Sequence, residues 1–357
     1  MSPSTVEITE AQKLQIQKGQ PKRRWTRTRG FRLVVSALVS LVCLYLAVQG
    51  MDVEQTIEEL RKSSPTPVLG AVFFLFLSFW IRALRWSYLL LPIKPISSSL
   101  LFRSTVIGFM GNYLLPFRAG ELMRAVSIGQ TENISKASAF GSIILERVFD
   151  GLVLSLTPFF LLAVLDLPRW LLQVNLVLLA IYLIGLSVFL VAARRGWTDT
   201  WLDVVTRMVP EVMRNRLRCL GKDFVEGIEG ITRAGALLPV VYLSLLCWLS
   251  HGMYFFLAFQ GLNLNLSVWA ALVLQAVIAL GVILPGTPGY VGNFEYFTVL
   301  GLALFGINQE AAFAFALVAH VFQFVPVTAV GLFFAFRTGM LKKAEVEQHR
   351  LSTSTFE

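Results

Sequence analysis

The chain has 357 residues, of which 55% are hydrophobic and 15% are charged, and its formal net charge is +9 at pH 7. Soluble domains carry about 25% charged residues, so this composition excludes an ordinary soluble protein and predicts a polytopic all-α membrane protein. The positive charge is concentrated in the N-terminal tail, one long loop and the C-terminus. Because Lys and Arg at such places set membrane topology, we expect no nucleic-acid partner.

Residues 1–30 form a polar tail that ends in a cluster of Lys and Arg. Positively charged segments beside a first span stay in the cytoplasm, so this tail predicts a cytoplasmic N-terminus. Residues 31–336 hold the apolar segments of a transmembrane domain, and the basic residues of 337–357 place the C-terminus on the same side. The sequence therefore predicts a multi-pass protein of the inner or plasma membrane with both termini in the cytoplasm.

Six apolar segments are long enough to cross a hydrocarbon core of roughly 30 Å. They are residues 31–49, 68–91, 137–165, 170–192, 236–260 and 311–336. Near the end of the second segment, Arg82 and Arg85 lie one helical turn apart beside Trp80 and Trp86. Two interpretations stay open for these residues: an interfacial belt of arginine and tryptophan, or the lining of a lipid pathway.

Residues 100–124 are largely apolar, yet they cannot form an ordinary membrane helix. Pro116 lacks a backbone donor and disfavours helical angles at the preceding residue, and Gly111 and Gly120 loosen the backbone on either side. Irregular backbone at membrane depth persists only inside protein or beside a wet cavity. We therefore predict a re-entrant hairpin that enters and leaves on the cytoplasmic face.

Ionisable residues cluster on this hairpin and near the middle of the span that follows it. Charges at membrane depth are costly and mark function by default. Those of the hairpin recur at three-residue steps on one helical face, and those of the span lie about 14–20 Å along it, close to mid-bilayer. Two interpretations stay open for the span: a closed structural ion-pair cluster, or pairing with Arg118 or Arg124. With one residue from a later segment, the predicted substrate-binding residues are Asn112, Arg118, Glu121, Arg124, Glu146, Arg147, Asp150 and Glu295.

The break recurs in the second half of the chain, where Leu114-Leu-Pro-Phe-Arg-Ala-Gly120 is matched by Ile283-Leu-Pro-Gly-Thr-Pro-Gly289. Counting spans places this second hairpin on the outer face. Residues 68–165 and 236–336 then form an inverted repeat, joined through a cytoplasmic amphipathic loop over 194–235. Eight full spans would satisfy the same end charges as six spans and two hairpins. The predicted hinge and turn residues are Pro116, Gly120, Pro285, Gly286, Pro288, Gly289 and Gly292.

These residues favour transport of a charged headgroup. Arg118 and Arg124 suit a phosphate, because guanidinium groups bind its oxygens bidentately. The carboxylates would hold these arginines in an empty site or receive a cationic headgroup. His320, on the last span, is a candidate for proton coupling, since a free imidazole titrates near neutral pH. The sequence has no nucleotide-binding phosphate loop and no Cys/His cluster with metal spacing, so we expect no cofactor and no metal.

Three motifs in this order resemble the flippase-like transmembrane region of lysylphosphatidylglycerol synthases. They are Asn112-Tyr-Leu-Leu-Pro-Phe-Arg-Ala-Gly-Glu121 with Arg124, Glu146-Arg147 with Asp150, and Pro285-Gly-Thr-Pro-Gly289 with Gly292 and Glu295. The resemblance implies a protein that moves a modified lipid or a lipid-linked sugar between leaflets. The synthases continue into a soluble aminoacyl-transferring domain, whereas this sequence ends shortly after its last span, so we do not expect synthase activity.

Three functions follow from the sequence as hypotheses. The favoured one is non-enzymatic translocation of an anionic phospholipid or a lipid-linked glycan through a central polar cleft. The first alternative is a non-transporting subunit that presents lipid to a separate synthase or glycosyltransferase, which would be its partner. The second is an intramembrane lipid-modifying enzyme with Glu and His as acid–base groups. For translocation, we expect Arg118→Ala and Glu146→Gln to impair function more than expression.

Overall fold

The computed structural model describes residues 24–115, 118–194 and 235–338. These ranges are helical apart from their connecting turns, so the chain is a helical protein as predicted. Pro116, residues 1–23 of the N-terminal tail, residues 195–234 of the loop and residues 339–357 of the C-terminal tail lie outside the described residues. The helices are α1 (Arg24–Val48), α2 (Val53–Arg61), α3 (Pro65–Leu90), α4 (Ser98–Leu114), α5 (Ala119–Glu132), α6 (Lys136–Leu161), α7 (Arg169–Arg194), α8 (Leu237–Gly261), α9 (Val268–Ile283), α10 (Asn293–Ala303) and α11 (Gln309–Arg337).

Six long helices occupy the six segments that the sequence predicts to cross the membrane: α1, α3, α6, α7, α8 and α11. Four of them, α3, α7, α8 and α11, are long and apolar enough to do so by length and composition. Helix α6 matches α3 in length at 26 residues, but it carries three charged side chains in its middle. Helix α1 is followed by the short α2 after a bend of 83°. The chain is therefore a multi-pass membrane protein.

The first broken segment is a hairpin. Helix α4 ends at Leu114 and α5 begins at Ala119, and the two run antiparallel. Ser104 Oγ lies 3.5 Å from Ser127 Oγ, and nearer the turn a Cβ added to Gly120 would lie 1.8 Å from the carbonyl oxygen of Gly108. Only glycine allows so close an approach of two backbones.

The second broken segment is also a hairpin, formed by α9, a short 3₁₀ turn over Pro288–Tyr290, and α10. Asn293 Nδ2 donates to the carbonyl oxygen of Gly281 across the turn at 3.1 Å. Gly289 and Gly292 turn the chain with φ angles of 75° and 89°, which glycine adopts without steric cost. Helices α4, α5, α9 and α10 have 17, 14, 16 and 11 residues, fewer than the roughly 20 that a full span needs, so the described residues favour two hairpins over the alternative of eight full spans.

The two hairpins open on opposite faces of the bundle. Helix α3 ends at one face, and the first hairpin opens at the same face. There Lys94 Nζ pairs with Glu132 Oε2 at 2.9 Å. Helix α8 runs antiparallel to α3 and ends at the other face, where the backbone N–H of Ser64 donates to the carbonyl oxygen of Gly261. The second hairpin follows α8 and therefore opens at that other face.

Packing follows the repeat. Helix α3 packs against its counterpart α8, and the hairpin helix α4 packs against α11 as α9 packs against α6. Within each repeat, the second hairpin helix packs against the long helix that follows it, α5 against α6 and α10 against α11. The structure thus has the inverted repeat that the sequence predicts, and the ends of its hairpins meet inside the bundle.

Candidate functional site

The charged side chains of α5 and α6 come together with two arginines of α3 in a buried network around Glu146. The Glu146 carboxylate accepts two hydrogen bonds from Arg124 of α5, at 3.2 and 3.0 Å. Arg147 Nη2 lies 2.9 Å and Arg85 Nη2 3.4 Å from the same carboxylate. The Glu146 side chain is 0% exposed, so its charge is compensated by these arginines and not by water.

Asp150, one turn further along α6, anchors the other half of the network. Its oxygens accept hydrogen bonds from Arg82 Nη1 at 2.9 Å and Arg85 Nη1 at 2.8 Å. Trp248 of α8 donates from Nε1 to the same carboxylate at 2.9 Å, and Arg147 Nη1 lies 3.3 Å from it. The network therefore joins α3, α5, α6 and α8 at the level of the middle of α6.

The interfacial interpretation of Arg82 and Arg85 is wrong, because these side chains are only 4% and 0% exposed and pair with Asp150. Helix α3 continues to Leu90, which leaves both arginines more than a full turn inside it. Trp86 is also buried and lies under the Arg124 guanidinium, whose carbon is 4.2 Å from its ring centroid. Trp80 alone of the four is exposed.

A cavity of about 240 Å³, here called the central cavity, adjoins this network. Its volume is far above the roughly 10–15 Å³ that a single water needs on the same measure. Phe79, Phe109 and Phe255 form apolar parts of its wall, and Tyr182 lines it from α7. The charged side chains in its wall are Arg82, Arg118, Glu121, Arg147 and Asp150.

Arginine is in excess around the central cavity. Besides Glu146 and Asp150, the acidic residue near these arginines is Glu121, whose Oε1 lies 3.4 Å from Arg147 Nε. Buried charges are tolerated only when paired, so a surplus of cations beside a cavity favours an anionic ligand. The network and cavity wall hold five arginines (Arg82, Arg85, Arg118, Arg124 and Arg147) against three carboxylates (Glu121, Glu146 and Asp150).

Arg118 lies between two cavities. It precedes α5 with a left-handed φ of 52°, and its Nη2 donates to the carbonyl oxygen of Val282 near the end of α9. A second cavity of about 440 Å³ lies on its other side, against Ser36 of α1. Asn112 and Tyr290 line both cavities with Arg118, and Asn112 Oδ1 is a buried acceptor with no hydrogen-bond partner among the described residues. Arg118 therefore reaches the second hairpin and not Glu146 or Asp150.

Glu295 differs from the expectation that it acts with these arginines. It lies in the first turn of α10, where its Oε2 accepts from the backbone N–H of Gly292 at 2.6 Å. Its Oε1 lies 2.5 Å from His320 Nδ1, and the other ring nitrogen of His320 lies 2.8 Å from the carbonyl oxygen of Gly289. The first turn of a helix draws an acidic side chain to its free N–H groups, which separates Glu295 from the arginine network.

The turn of the second hairpin, Leu284–Gly292 (here called the second tip), contains the predicted turn residues and is bound by α1, a contact that the sequence did not predict. The backbone N–H of Thr287 donates to Ser40 Oγ at 2.9 Å. A Cβ added to Gly292 would lie 2.1 Å from the carbonyl oxygen of Ser40, and one added to Gly286 would lie 3.0 Å from Asn293 Nδ2. Pro285 lines the second cavity and Pro288 starts the 3₁₀ turn.

Comparison with known proteins places the chain among membrane proteins. Residues 33–331 match the family described as lysylphosphatidylglycerol synthase TM region. A UPF0104 membrane protein of Methanothermobacter thermautotrophicus is 26% identical over 85% of this chain and 94% of its own length. Another from Methanocaldococcus jannaschii is 24% identical over 67% of this chain and 99% of its own length. A protein of Haloferax volcanii named glycosyltransferase AglD is 23% identical over 92% of this chain, which spans 59% of that relative.

Proposed function

The chain belongs to the lysylphosphatidylglycerol synthase transmembrane-region family, and from that premise we propose that it translocates the headgroup of a membrane lipid or lipid-linked glycan between leaflets. The transmembrane domain is residues 31–336, in an inner or plasma membrane with both termini in the cytoplasm. The substrate-binding residues are those that meet at or beside the central cavity, with Arg118 as the first contact of the headgroup.

The observation that carries this proposal is the meeting of two hairpins from opposite faces beside a cavity rich in arginine. A headgroup must cross roughly 30 Å of hydrocarbon, and non-helical backbone at that depth is tolerated where it lines a wet cavity. Arg118 contacts Val282 of the other hairpin and lines both cavities. A headgroup passing from one cavity to the other therefore meets this guanidinium, while its acyl or prenyl chains remain in the bilayer.

The surplus of arginines supports an anionic group, since guanidinium forks bind phosphate oxygens bidentately and remain charged. A phospholipid and a lipid-linked sugar both present a phosphate, and the site would recognise that shared chemistry. In the empty site the arginines pair with the acidic residues of the network. When a lipid binds, the arginines exchange these carboxylates for its phosphate.

The test is leaflet exchange in vesicles that contain the purified protein and a fluorescent lipid, followed by quenching of the outer leaflet. We expect exchange of labelled phosphatidylglycerol or of a prenyl-phosphate sugar. Arg118→Ala should slow that exchange by about tenfold, because a hydrogen bond to a charged group contributes about 1.5–3 kcal/mol. Arg103→Ala is the matched control, since Arg103 lies exposed on the same hairpin. If wild-type protein exchanges neither class of lipid, the proposal fails.

One observation favours a second function. This chain matches only part of the length of the relative named a glycosyltransferase. That partial match supports a subunit that presents lipid to a separate glycosyltransferase. That function predicts co-purification of such an enzyme and normal activity of the complex with Arg118→Ala. The third hypothesis, an intramembrane enzyme, predicts instead that the purified protein alone releases a headgroup product in detergent.

A further inference from the structure

The two repeats link their hairpins to the following long helix in the same way but with different chemistry. In the first repeat, Arg124 of α5 pairs with Glu146 in the middle of α6. In the second, Glu295 of α10 pairs with His320 in the middle of α11. An arginine stays protonated in proteins, so the first linkage does not change with pH. An imidazole can gain or lose a proton, so the contacts of His320 are the ones that a change of protonation can alter.

The contacts of His320 fix how many protons this linkage holds. A carbonyl oxygen only accepts hydrogen bonds, so the nitrogen 2.8 Å from Gly289 O, Nε2, must carry a hydrogen. The 2.5 Å contact between Nδ1 and Glu295 Oε1 then requires a second proton between those two atoms. Both contacts exist together only while the His320–Glu295 pair holds that second proton.

We propose that His320 and Glu295 form a proton-binding site that latches the second tip to α11 and releases it when the proton leaves. This inference rests on the proposed translocation and names its coupling ion. After deprotonation the imidazole has one hydrogen, and retaining it on Nδ1 preserves the bond to the Glu295 carboxylate. Nε2 then turns a lone pair towards the carbonyl oxygen of Gly289, and that contact breaks.

The freed contact lies where a change has consequences. Gly289, Tyr290 and His320 all line the central cavity, and Tyr290 also lines the second cavity. Release of Gly289 lets the second tip move away from α11 and widens the passage between the two cavities beside Arg118. Loss of one proton is thereby converted into access for a headgroup.

Other titratable groups surround the pair, but within the described residues the hydrogen bonds of the imidazole go to Glu295 and Gly289. The titratable groups on the segments packed around His320 are Tyr113 of α4, His251 and Tyr254 of α8, and Tyr290 of the second tip. The charged groups across the central cavity are Arg82, Arg118, Glu121, Arg147 and Asp150. Helix α1 and its turn into α2 reach α11 near Glu310, where Asp52 lies, about 15 Å along the helix from His320.

Hydrogen–deuterium exchange of the full-length protein in detergent tests the latch without any lipid transport. We expect protection of the second tip, corrected for intrinsic exchange, to fall by about tenfold, the size of one lost hydrogen bond, when the pH is raised from about 5.5 to about 8 and the pair loses its proton. The first tip (Gly111–Leu115) is the internal control and should keep its protection. His320→Gln should remove the pH dependence, and Glu295→Gln should do the same if the first variant fails to fold.

His251→Gln is the matched control, because His251 lines the same cavity and has no carboxylate partner among the described residues. It should leave the pH dependence of the second tip intact. A second tip whose protection is independent of pH, or the same pH profile in His320→Gln, would overturn the latch. If lipid exchange persists with such a pH-independent tip, the proposed function survives; if the tip responds to pH but no lipid moves, the latch survives and the proposed function fails.

Discussion

Glu146→Gln tests whether the buried network is held together by its charge balance. This carboxylate is fully buried and lies within 4 Å of four arginines, Arg82, Arg85, Arg124 and Arg147. Replacing it by an amide leaves those cations with Asp150 as their remaining buried partner. Breaking a buried ion pair by removing one member costs about 3–5 kcal/mol. The structure therefore predicts loss of folded protein, which differs from the expectation that Glu146→Gln affects function more than expression.

The measurement is the apparent unfolding temperature of the detergent-solubilised protein. It is read from the amount of folded protein that size-exclusion chromatography detects after heating. We expect Glu146→Gln to lower that temperature by about 10 °C, from a few degrees per kcal/mol. Glu59→Gln is the matched control, because Glu59 pairs with Lys62 at 2.8 Å while both side chains are solvent-exposed to a substantial degree (28% and 58%). Exposed pairs contribute little to stability, so this variant should unfold close to the wild type.

A double variant makes the reasoning specific. Adding Arg124→Gln to Glu146→Gln removes one of the uncompensated cations, so the pair of changes should cost less than the sum of the two single changes. If Glu146→Gln unfolds at the same temperature as Glu59→Gln, or if the two changes simply add, the charge balance of the network does not hold α5 and α6 together.

Two further changes test the packing of the hairpins. Gly120→Ala places a Cβ 1.8 Å from the carbonyl oxygen of Gly108. We expect this clash to destabilise the protein by about 3 kcal/mol or more and so to lower the yield of folded protein in the same chromatographic assay. Gly185→Ala is the control and should be neutral, because nothing lies within 4 Å of its added Cβ. Ser40→Ala removes two hydrogen bonds to Thr287, and it should raise deuterium exchange of the second tip at every pH; unchanged exchange would mean that α1 does not restrain that tip.

The architecture was predictable because its signals are local. Pro116, Pro285 and the glycines near them interrupt apolar segments in matching places, and counting the spans between them gives hairpins on opposite faces. The charges of α6 were equally visible, since Glu146 and Asp150 share one face of an apolar segment. These features depend on chain order and spacing, which the sequence contains.

The partners of those charges depend on which helices touch. Arg82 and Arg85 lie beside two tryptophans, a pattern that an interfacial belt produces equally well. Their pairing with Asp150 requires α3 to pack against α6, and hydropathy carries no information on that contact. The carboxylates in the middle of α6 outnumber the cation beside them, which favours pairing with Arg118 or Arg124 of the first hairpin. The structure has the pairing with Arg124, but this count does not single out Arg82 and Arg85. Glu295 was grouped with the arginines by its place in the repeat, whereas helix capping directs it to Gly292.

Helix α1 lies outside the two repeats, and it packs against α10 of the second hairpin, whereas α7 packs against α6. The contact of α1 with the second hairpin therefore breaks the internal symmetry of the two repeats. A displacement of the second tip therefore acts on Ser40, which lies on a helix of 25 residues. Within the described residues, the hydrogen bonds from α1 to a hairpin turn go to Thr287, so the two repeats differ in how their turns are supported.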